Sequence, residues 1–240
     1  MTKIIAHRGA NKLAPENTIS AFKKAVEMKV DGLETDVHLT KDGEIIICHN
    51  YTIDITSDGQ GNINDMTFDE LRKFDFGSYF SSEFAGEKIP TLDEFLEVSR
   101  NVEIINIEIK TPPEKNDIVK KTIERVKAFN LEEQVLFSSF SVDLMKESKE
   151  INPKIKTAAL YDIRSNFVAE VTADPVAFCK KNSLDLLHPV VLFIDQNFID
   201  RCHEGGIKVN YWTLNDKDSL DVVRQMGVDG IITDVPEYFV

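Results

Sequence analysis

The 240-residue sequence predicts an α/β fold: a closed (β/α)8 TIM barrel with a small inserted subdomain after the second strand. Short apolar or β-branched runs alternate with longer amphipathic stretches, a pattern typical of parallel strands joined by crossover helices. Eight such units fit this chain length, and barrels of this size commonly form one domain. One longer section interrupts the alternation. We therefore expect a single domain over residues 1–240, with an insertion at residues 44–90.

Each predicted strand is a short run rich in apolar and β-branched residues. The sixth run has the weakest pattern, and the seventh contains the only tryptophan. In chain order the strands are KIIAH, GLETDVHL, EIINIEIK, QVLFSS, KIKTAALY, SLDLLH, IKVNYWTL and VDGIITD.

Capping residues mark several helix ends. Asn17 or Thr18 can cap the first helix, in the segment PENTISAFKKAVEMKVDG. Thr91 and Glu94 have the spacing of a capping box for the helix that follows the insertion. The last predicted helix closes on Gly227 and leads into the final strand.

The insertion at residues 44–90 contains an extra apolar run, EIIICHN, a polar turn-rich stretch, SDGQGNIND, and an aromatic piece, FDFGSYFSSEF. It is too long for an ordinary loop and too apolar for a linker, so we expect it to fold as a subdomain or lid. The segment LTKDGEI predicts a hairpin through Asp42 and Gly43. That hairpin places EIIICHN beside the second strand and His49 near the barrel mouth.

The charge of the chain argues against one class of partner. The formal net charge is −13 and the isoelectric point is about 4.9. An extended phosphate backbone is repelled by such a protein, so we expect no nucleic-acid partner. Any phosphate must be held locally, by a few cations or a bound metal.

The sequence also bears on location. We find no apolar run of signal-peptide or membrane-span length, and expect a cytoplasmic protein with no membrane partner. The three cysteines, Cys48, Cys179 and Cys202, lack metal-type spacing and suit a reducing compartment. The sequence leaves open whether the protein is a monomer or a homo-oligomer.

Carboxylates gather on the second and third predicted strands. Side chains two residues apart on a strand share a face, which pairs Glu34 with Asp36 and Glu108 with Lys110. Active sites of such barrels lie at the carboxyl ends of the strands. The acids either pair with Arg8 and Lys110, face solvent, or bind a hard divalent cation. With both pairs on adjacent strands, we favour one cation, Mg²⁺ or Ca²⁺.

Two histidines belong to the same predicted mouth. His7 ends the first strand, and His49 arrives through the hairpin. Imidazoles titrate near neutrality, so the pair can act as general base and general acid. Together with the guanidinium of Arg8, the ammonium of Lys110 and a metal, they are suited to binding and cleaving a phosphate ester.

The other histidines are weaker candidates. His38 continues the face of Glu34 and Asp36, and either lines the site or packs inside the barrel. His188 ends the sixth strand and either orients substrate or caps the strand. His203 lies on a late helix, where we expect a surface residue.

Polar and aromatic residues end two more strands. Ser138 and Ser139 lack the context of a nucleophile elbow and are predicted to be polar lining. The seventh strand carries Asn210, Trp212 and Asn215. Trp212 is either core or a π-face for a substrate alcohol such as choline.

Several quoted segments together resemble the glycerophosphodiester phosphodiesterase family, of the bacterial cytosolic type. They are AHRGANKLAPENTISAF, GLETDVHLTKDGEIIICHN, GSYFSSEFAGEKIPTLDEFL, INIEIK, VNYWTLN and GVDGIITDVP. The resemblance implies a (β/α)8 barrel. It also implies metal-dependent hydrolysis of glycerophosphodiesters, such as glycerophosphocholine or glycerophosphoethanolamine, to sn-glycerol 3-phosphate and an alcohol.

Site roles follow from the same resemblance. The implied metal ligands are Glu34, Asp36 and Glu108, and the implied acid/base pair is His7 and His49. Arg8 and Lys110 are implied to bind phosphate, and Trp212 to lie beside the substrate.

The sequence departs from the family pattern after the second histidine. Asn50 stands where the family usually has aspartate, and Ile55 where it has arginine. The departure at Asn50 is the support for one alternative, a barrel that binds a phosphodiester without cutting it. A second alternative is a phospholipase D-like enzyme or lyase acting on a lipid phosphodiester, which the acidic composition disfavours.

Overall fold

The computed structural model describes residues 1–190 and 195–240, and there the predicted (β/α)8 barrel is confirmed. Eight parallel strands follow one another around the barrel, and pairing of β1 with β2 closes it. A ninth strand, β3, pairs antiparallel with β2 at the rim. The strands are β1 Lys3–His7, β2 Gly32–Leu39, β3 Ile45–Ile47, β4 Ile104–Ile109, β5 Val135–Ser139, β6 Lys156–Tyr161, β7 Leu186–Pro189, β8 Lys208–Tyr211 and β9 Gly230–Thr233.

Helices cover the outside of the barrel. They are α1 Ile19–Glu27, α2 Phe68–Leu71, α3 Leu92–Ser99, α4 Ile118–Phe129, α5 Val142–Ile151, α6 Val168–Ala173, α7 Pro175–Asn182, α8 Gln196–Glu204 and α9 Leu220–Gln225. Short 3₁₀ turns occupy Ile63–Asp65, Ser82–Phe84 and Pro236–Tyr238. The main apolar core lies between the strands and most of these helices, each of which buries one face. Buried residues of α2 and α9 belong to two separate, smaller clusters.

All eight predicted barrel strands are present; β1 and β2 have the predicted bounds, and the other six begin or end one to three residues inside the predicted runs. The sixth run begins three residues later than predicted, as β7 at Leu186–Pro189. Its first residue, Ser183, instead ends α7 in a left-handed conformation with φ 56°. Asp185 supplies side-chain acceptors to Thr157 on β6. Because these two polar residues cap a helix and accept hydrogen bonds, they interrupt the apolar pattern, which explains why the strand pattern of this run is weak.

The two candidates for the cap of α1 have different tasks. Thr18 is the N-cap, and its hydroxyl accepts from the backbone N–H of Ala21 at 3.3 Å. Asn17 precedes it with φ 57° and donates its amide to Asp36 at 2.9 Å. The capping box of Thr91 and Glu94 at α3 is present as predicted.

The hairpin predicted at Asp42 and Gly43 is also present. Gly43 has φ 82°, which a glycine adopts without steric cost, and its N–H donates to Thr40 at 3.0 Å. Seven buried side chains in this region pack as an apolar cluster of their own. They are Ile46, Cys48, Ile53, Ile63, Leu71, Phe76 and Ile89.

Candidate active site

A cavity opens at the carboxyl ends of the strands, and most of the predicted site residues line it. Asp36 and Lys110 lie beside this lining, joined to it by ion pairs with Arg8 and Glu108. Six predicted residues line the cavity itself: His7, Arg8, Glu34, His49, Glu108 and Trp212.

A larger depression lies at the opposite end of the barrel and has different chemistry. Lys3 and Glu103 line it and pair with each other at 2.5 Å, and Lys3 also pairs with Asp31. We therefore place the candidate active site at the mouth that carries the predicted residues.

Strand register brings the three acidic residues together. Asp36 on β2 lies opposite Glu108 on β4, and Glu34 shares the face of Asp36. One carboxylate oxygen from each lies within 4.8 Å of the other two, and all three side chains are buried.

Their electrostatics differ. Burial, and next the charges of Asp36 and Glu108, raise the pKa of Glu34 well above its usual range. Burial and the charge of Asp36 raise the pKa of Glu108 to about 7. Burial acts in the same direction on Asp36, but the cations Lys110 and Arg8 outweigh it and hold its pKa well below the usual range.

The donor set fits a hard divalent cation. Three buried carboxylates meet here, and the nearest cation, Lys110, lies 2.8 Å from Glu108 and 3.4 Å from Asp36. The backbone N–H of Arg8 donates to Glu34 at 3.0 Å, and Glu34 still lies buried beside two further carboxylates. Oxygen donors alone suit Mg²⁺ or Ca²⁺ better than a soft metal.

His7, at the end of β1, is held by a carboxylate that we did not predict from the sequence. Its Nδ1 lies 2.6 Å from Oδ1 of Asp234, and its Nε2 lies 3.9 Å from Oε2 of Glu34. With Nδ1 engaged by Asp234, Nε2 is the nitrogen presented to the acidic group.

Asp234 is itself fixed by two amides. Asn11 donates to its Oδ1 at 2.6 Å and Asn215 to its Oδ2 at 2.7 Å. Burial alone raises the pKa of Asp234, but the hydrogen bonds from His7, Asn11 and Asn215 hold it well below the usual range. A signal was present in the sequence: Asp234 directly follows the last strand, at the carboxyl end where active-site residues gather.

His49 reaches the cavity through the β2–β3 hairpin. Its Nδ1 lies 3.0 Å from Oδ1 of Asn50, so a neutral ring protonated at Nδ1 leaves Nε2 free to accept a proton. Burial, together with the nearby cations Lys110 and Arg8, lowers the pKa of His49 below its usual value.

Arg8 sits in a strained turn directly after β1. Its φ is 56°, and its guanidinium contacts Glu16 at 3.0 Å and Asp36 at 3.7 Å. Gly9 follows with φ 79°. Any other residue at this position would place its Cβ atom 2.7 Å from the backbone carbonyl carbon of Ala21, which is too close. The close approach of α1 therefore requires glycine and aims Arg8 into the mouth.

Aromatic side chains form one wall of the cavity. Trp212 is half-buried, and its Nε1 donates to the carbonyl of His188 at 2.7 Å. Phe140, which follows β5, meets Trp212 edge to face with ring centroids 5.7 Å apart. Leu160 and Ile232 complete the apolar lining.

The remaining histidines lie outside this cavity lining. Burial and the charge of Lys110 lower the pKa of His38 to about 4, and its ring packs against Tyr51. Burial lowers the pKa of His188 to about 3. His203 pairs with Asp229 at 2.9 Å at the other end of the barrel.

The two serines are buried in the barrel wall. Ser139 donates to the carbonyl of Ile109 at 2.8 Å, and Ser138 accepts from Asn106 at 3.1 Å. The three cysteines are buried free thiols.

Known proteins are similar to this chain over nearly its whole length. The family model described as the glycerophosphoryl diester phosphodiesterase family matches residues 7–238. The chain is 39% identical over 241 residues to a glycerophosphodiester phosphodiesterase of Caldanaerobacter subterraneus subsp. tengcongensis. That alignment covers 98% of this chain and 95% of the relative.

Solved structures agree with these sequence relatives. A glycerophosphodiester phosphodiesterase of Agrobacterium tumefaciens superposes with a TM-score of 0.86 at 25% identity, over 100% of this chain and 99% of that one. A phosphodiesterase of Oleispira antarctica, solved with its product sn-glycerol-3-phosphate, superposes with a TM-score of 0.83 at 28% identity. That match covers 99% of this chain and 94% of the other. Among residues 1–190 and 195–240, none of the helices combines the length and the hydrophobicity of a membrane-spanning segment.

Proposed function

The chain belongs to the glycerophosphoryl diester phosphodiesterase family and is an enzyme of that class, and from this premise we propose its substrates and mechanism. We propose that it hydrolyses small glycerophosphodiesters, such as glycerophosphocholine and glycerophosphoethanolamine, to sn-glycerol 3-phosphate and an alcohol. One observation carries the proposal. Two histidines and two buried carboxylates line a single cavity at the carboxyl ends of the strands, and a third carboxylate, Asp36, converges with those two.

One divalent cation, Mg²⁺ or Ca²⁺, completes the proposed site. Glu34, Asp36 and Glu108 would hold it, since their buried carboxylates converge within 4.8 Å of one another. When bound, such a cation acts as a Lewis acid toward a phosphoryl oxygen and offsets negative charge in the transition state.

The phosphate itself is bound by Arg8 and Lys110. Both cations are positioned by carboxylates, Arg8 by Glu16 and Lys110 by Glu108, so neither has to be ordered when substrate arrives. A guanidinium also presents several donors in a fixed plane, which matches the oxygens of a phosphodiester.

His7 and His49 form the acid/base pair. One takes the proton from the attacking oxygen, and the other gives a proton to the leaving alkoxide. Asp234 orients His7 and stabilises the positive charge that the ring carries when protonated. The attacking oxygen is either water or the neighbouring glycerol hydroxyl, and a trapped cyclic phosphate would identify the second route.

Release of sn-glycerol 3-phosphate tests the function. Glycerophosphocholine and glycerophosphoethanolamine are incubated with the protein plus Mg²⁺, Ca²⁺ or a chelator. We expect product only with a metal, and its loss in His7→Ala. His203→Ala is the matched control, because His203 also pairs with an aspartate but lies at the opposite end of the barrel. Binding of either substrate without turnover under any metal would favour the non-catalytic alternative.

We also propose a cytoplasmic location. It is supported by the three buried thiols, none of which forms a disulfide, as expected in a reducing compartment. Activity and antigen in the cytosolic fraction of lysed cells would test this assignment.

A further inference from the structure

Asn106 occupies the fourth corner of the acidic group. On β4 it lies opposite Glu34, just as Glu108 lies opposite Asp36. Residues two apart on a strand share a face, so these four side chains form a block on two neighbouring strands. Three corners carry carboxylates, and Asn106, only 1% exposed, carries the fourth oxygen.

The side-chain amide of Asn106 has a hydrogen-bond partner for its nitrogen but none for its oxygen among the described residues. Its Nδ2 donates to Oγ of Ser138 at 3.1 Å. Its Oδ1 is buried and has no hydrogen-bond partner among residues 1–190 and 195–240. Folded proteins rarely leave a buried acceptor in this state, and an unfilled ion site is one of the few explanations.

The surroundings of Oδ1 indicate what is missing. Asn106 lines the same cavity as Glu34 and Glu108, whose buried carboxylates converge with that of Asp36 within 4.8 Å. The negative end of an amide dipole is unfavourable beside two carboxylates, unless the amide oxygen and both carboxylates face a cation. Amide oxygens are ordinary ligands of Mg²⁺ and Ca²⁺.

A buried amide elsewhere in the barrel has a different environment. Asn210 on β8 pairs its Nδ2 with Nε2 of His188 at 3.0 Å and lines the depression at the opposite end. An amide in the barrel interior can therefore serve packing alone. Asn106 differs from it because it adjoins the carboxylates.

We propose that Oδ1 of Asn106 is a fourth protein ligand of the divalent cation, with Ser138 as the residue that positions it. With Nδ2 donating to Oγ of Ser138, Oδ1 is the amide atom left without a partner in the cavity that Glu34 and Glu108 line. The inference rests on the proposed function, since it assumes the cation held by Glu34, Asp36 and Glu108.

Direct metal binding tests this without reference to activity. The full chain, stripped of metal, is titrated with Mg²⁺ and with Ca²⁺ by calorimetry. We expect Asn106→Leu to weaken binding about 10-fold or more and Asn106→Asp, which restores an oxygen, to recover it. The control is Asn182→Leu, which should bind metal as the wild type does, because Asn182 is a buried asparagine of α7 whose Nδ2 donates to the carbonyl of Phe178.

A second variant covers the case in which Asn106→Leu does not fold. Ser138→Ala leaves the oxygen in place but frees the amide to rotate, and we expect it to weaken metal binding about 3-fold or more. If Ser138→Ala and any folded Asn106→Leu both bind metal with wild-type affinity, the inference about Asn106 is overturned, while the proposed metal site stands. If the wild type itself binds neither ion, the inference and the proposed metal site are both overturned.

Discussion

Nδ1 of His7 lies 2.6 Å from Oδ1 of Asp234, although 227 residues separate them along the chain. The barrel produces this pair because its first and last strands are neighbours in the closed sheet. Asp234 also receives bonds from Asn11 and Asn215, so its carboxylate is fixed before substrate arrives.

We predict that Asp234→Asn lowers kcat by about 10²–10⁴-fold with little change in KM, because an amide cannot stabilise the protonated ring. Steady-state kinetics measure this. The matched control is Asp229→Asn, which removes a carboxylate from His203 and should leave kcat unchanged. Equal kcat values for Asp234→Asn and wild type would show that the pair is structural only.

The crowded carboxylates predict opposite effects of Glu34→Gln with and without metal. Burial and the charges of Asp36 and Glu108 disfavour ionised Glu34, so the neutral amide should raise the Tm of the metal-free protein. The same variant should lose the rise in Tm that Mg²⁺ or Ca²⁺ causes in the wild type.

Thermal unfolding with a chelator and with excess metal checks both effects. Glu103→Gln, at the other end of the barrel, serves as the control and should keep the metal response. A wild-type rise in Tm retained by Glu34→Gln would remove Glu34 from the ligand set.

The contact between His49 and Asn50 predicts a shift in the pH profile. Burial and nearby cations lower the pKa of His49, and Asn50 offers its Nδ1 only a neutral acceptor. Asn50→Asp supplies a negative charge that favours the protonated ring, so the pKa of His49 should rise by about one pH unit.

The limb of kcat/KM that moves identifies the role of His49. If His49 is the base, the acid limb moves to higher pH, since the ring must be neutral to react. If His49 is the acid, the alkaline limb moves to higher pH instead. Asn50→Ala, which removes the acceptor, should not produce either upward shift, and an unchanged profile in Asn50→Asp would exclude His49 from the pair.

The aromatic wall predicts selectivity for a cationic head group. Trp212 and Phe140 meet edge to face beside the cavity. If the wall faces choline, Trp212→Leu should raise KM for glycerophosphocholine by about 3- to 30-fold and affect glycerophosphoglycerol less.

Phe140→Leu should act in the same direction with a smaller effect, because Phe140 is the more exposed ring. Phe129→Leu, at the remote end of α4, is the aromatic control. If KM rises equally for glycerophosphocholine and glycerophosphoglycerol, the aromatic wall contacts the glycerol or the phosphate that both substrates share.

The tight turn after β1 predicts a difference between two glycines. In Gly9→Ala the new methyl group clashes with the backbone of α1, and alanine has to adopt φ 79°. We expect this substitution to lower the free energy of unfolding by about 2 kcal/mol or more. Gly86→Ala has φ 91° but open space around it, and should cost about 1 kcal/mol. Urea unfolding compares the two, and equal losses would argue against a steric role for Gly9.

Much of the fold and of the site was predictable from local pattern. Alternating apolar runs predicted eight barrel strands, because a buried parallel strand needs a nearly continuous apolar segment. Residues spaced by two predicted the shared face of Glu34 and Asp36, and the turn at Gly43 predicted the hairpin that carries His49. Each of these signals lies within about ten residues of chain.

What only the tertiary structure decided depends on residues far apart in sequence. Asp234 meets His7, and Asn106 faces Glu34, through the closure and register of the barrel. Asn17 has the features of a helix cap, yet it bonds Asp36 instead. The sequence by itself determined the type of fold and the side chains at each strand end. The closed sheet decided which of them meet, because strand pairing sets distances that periodicity along the chain does not contain.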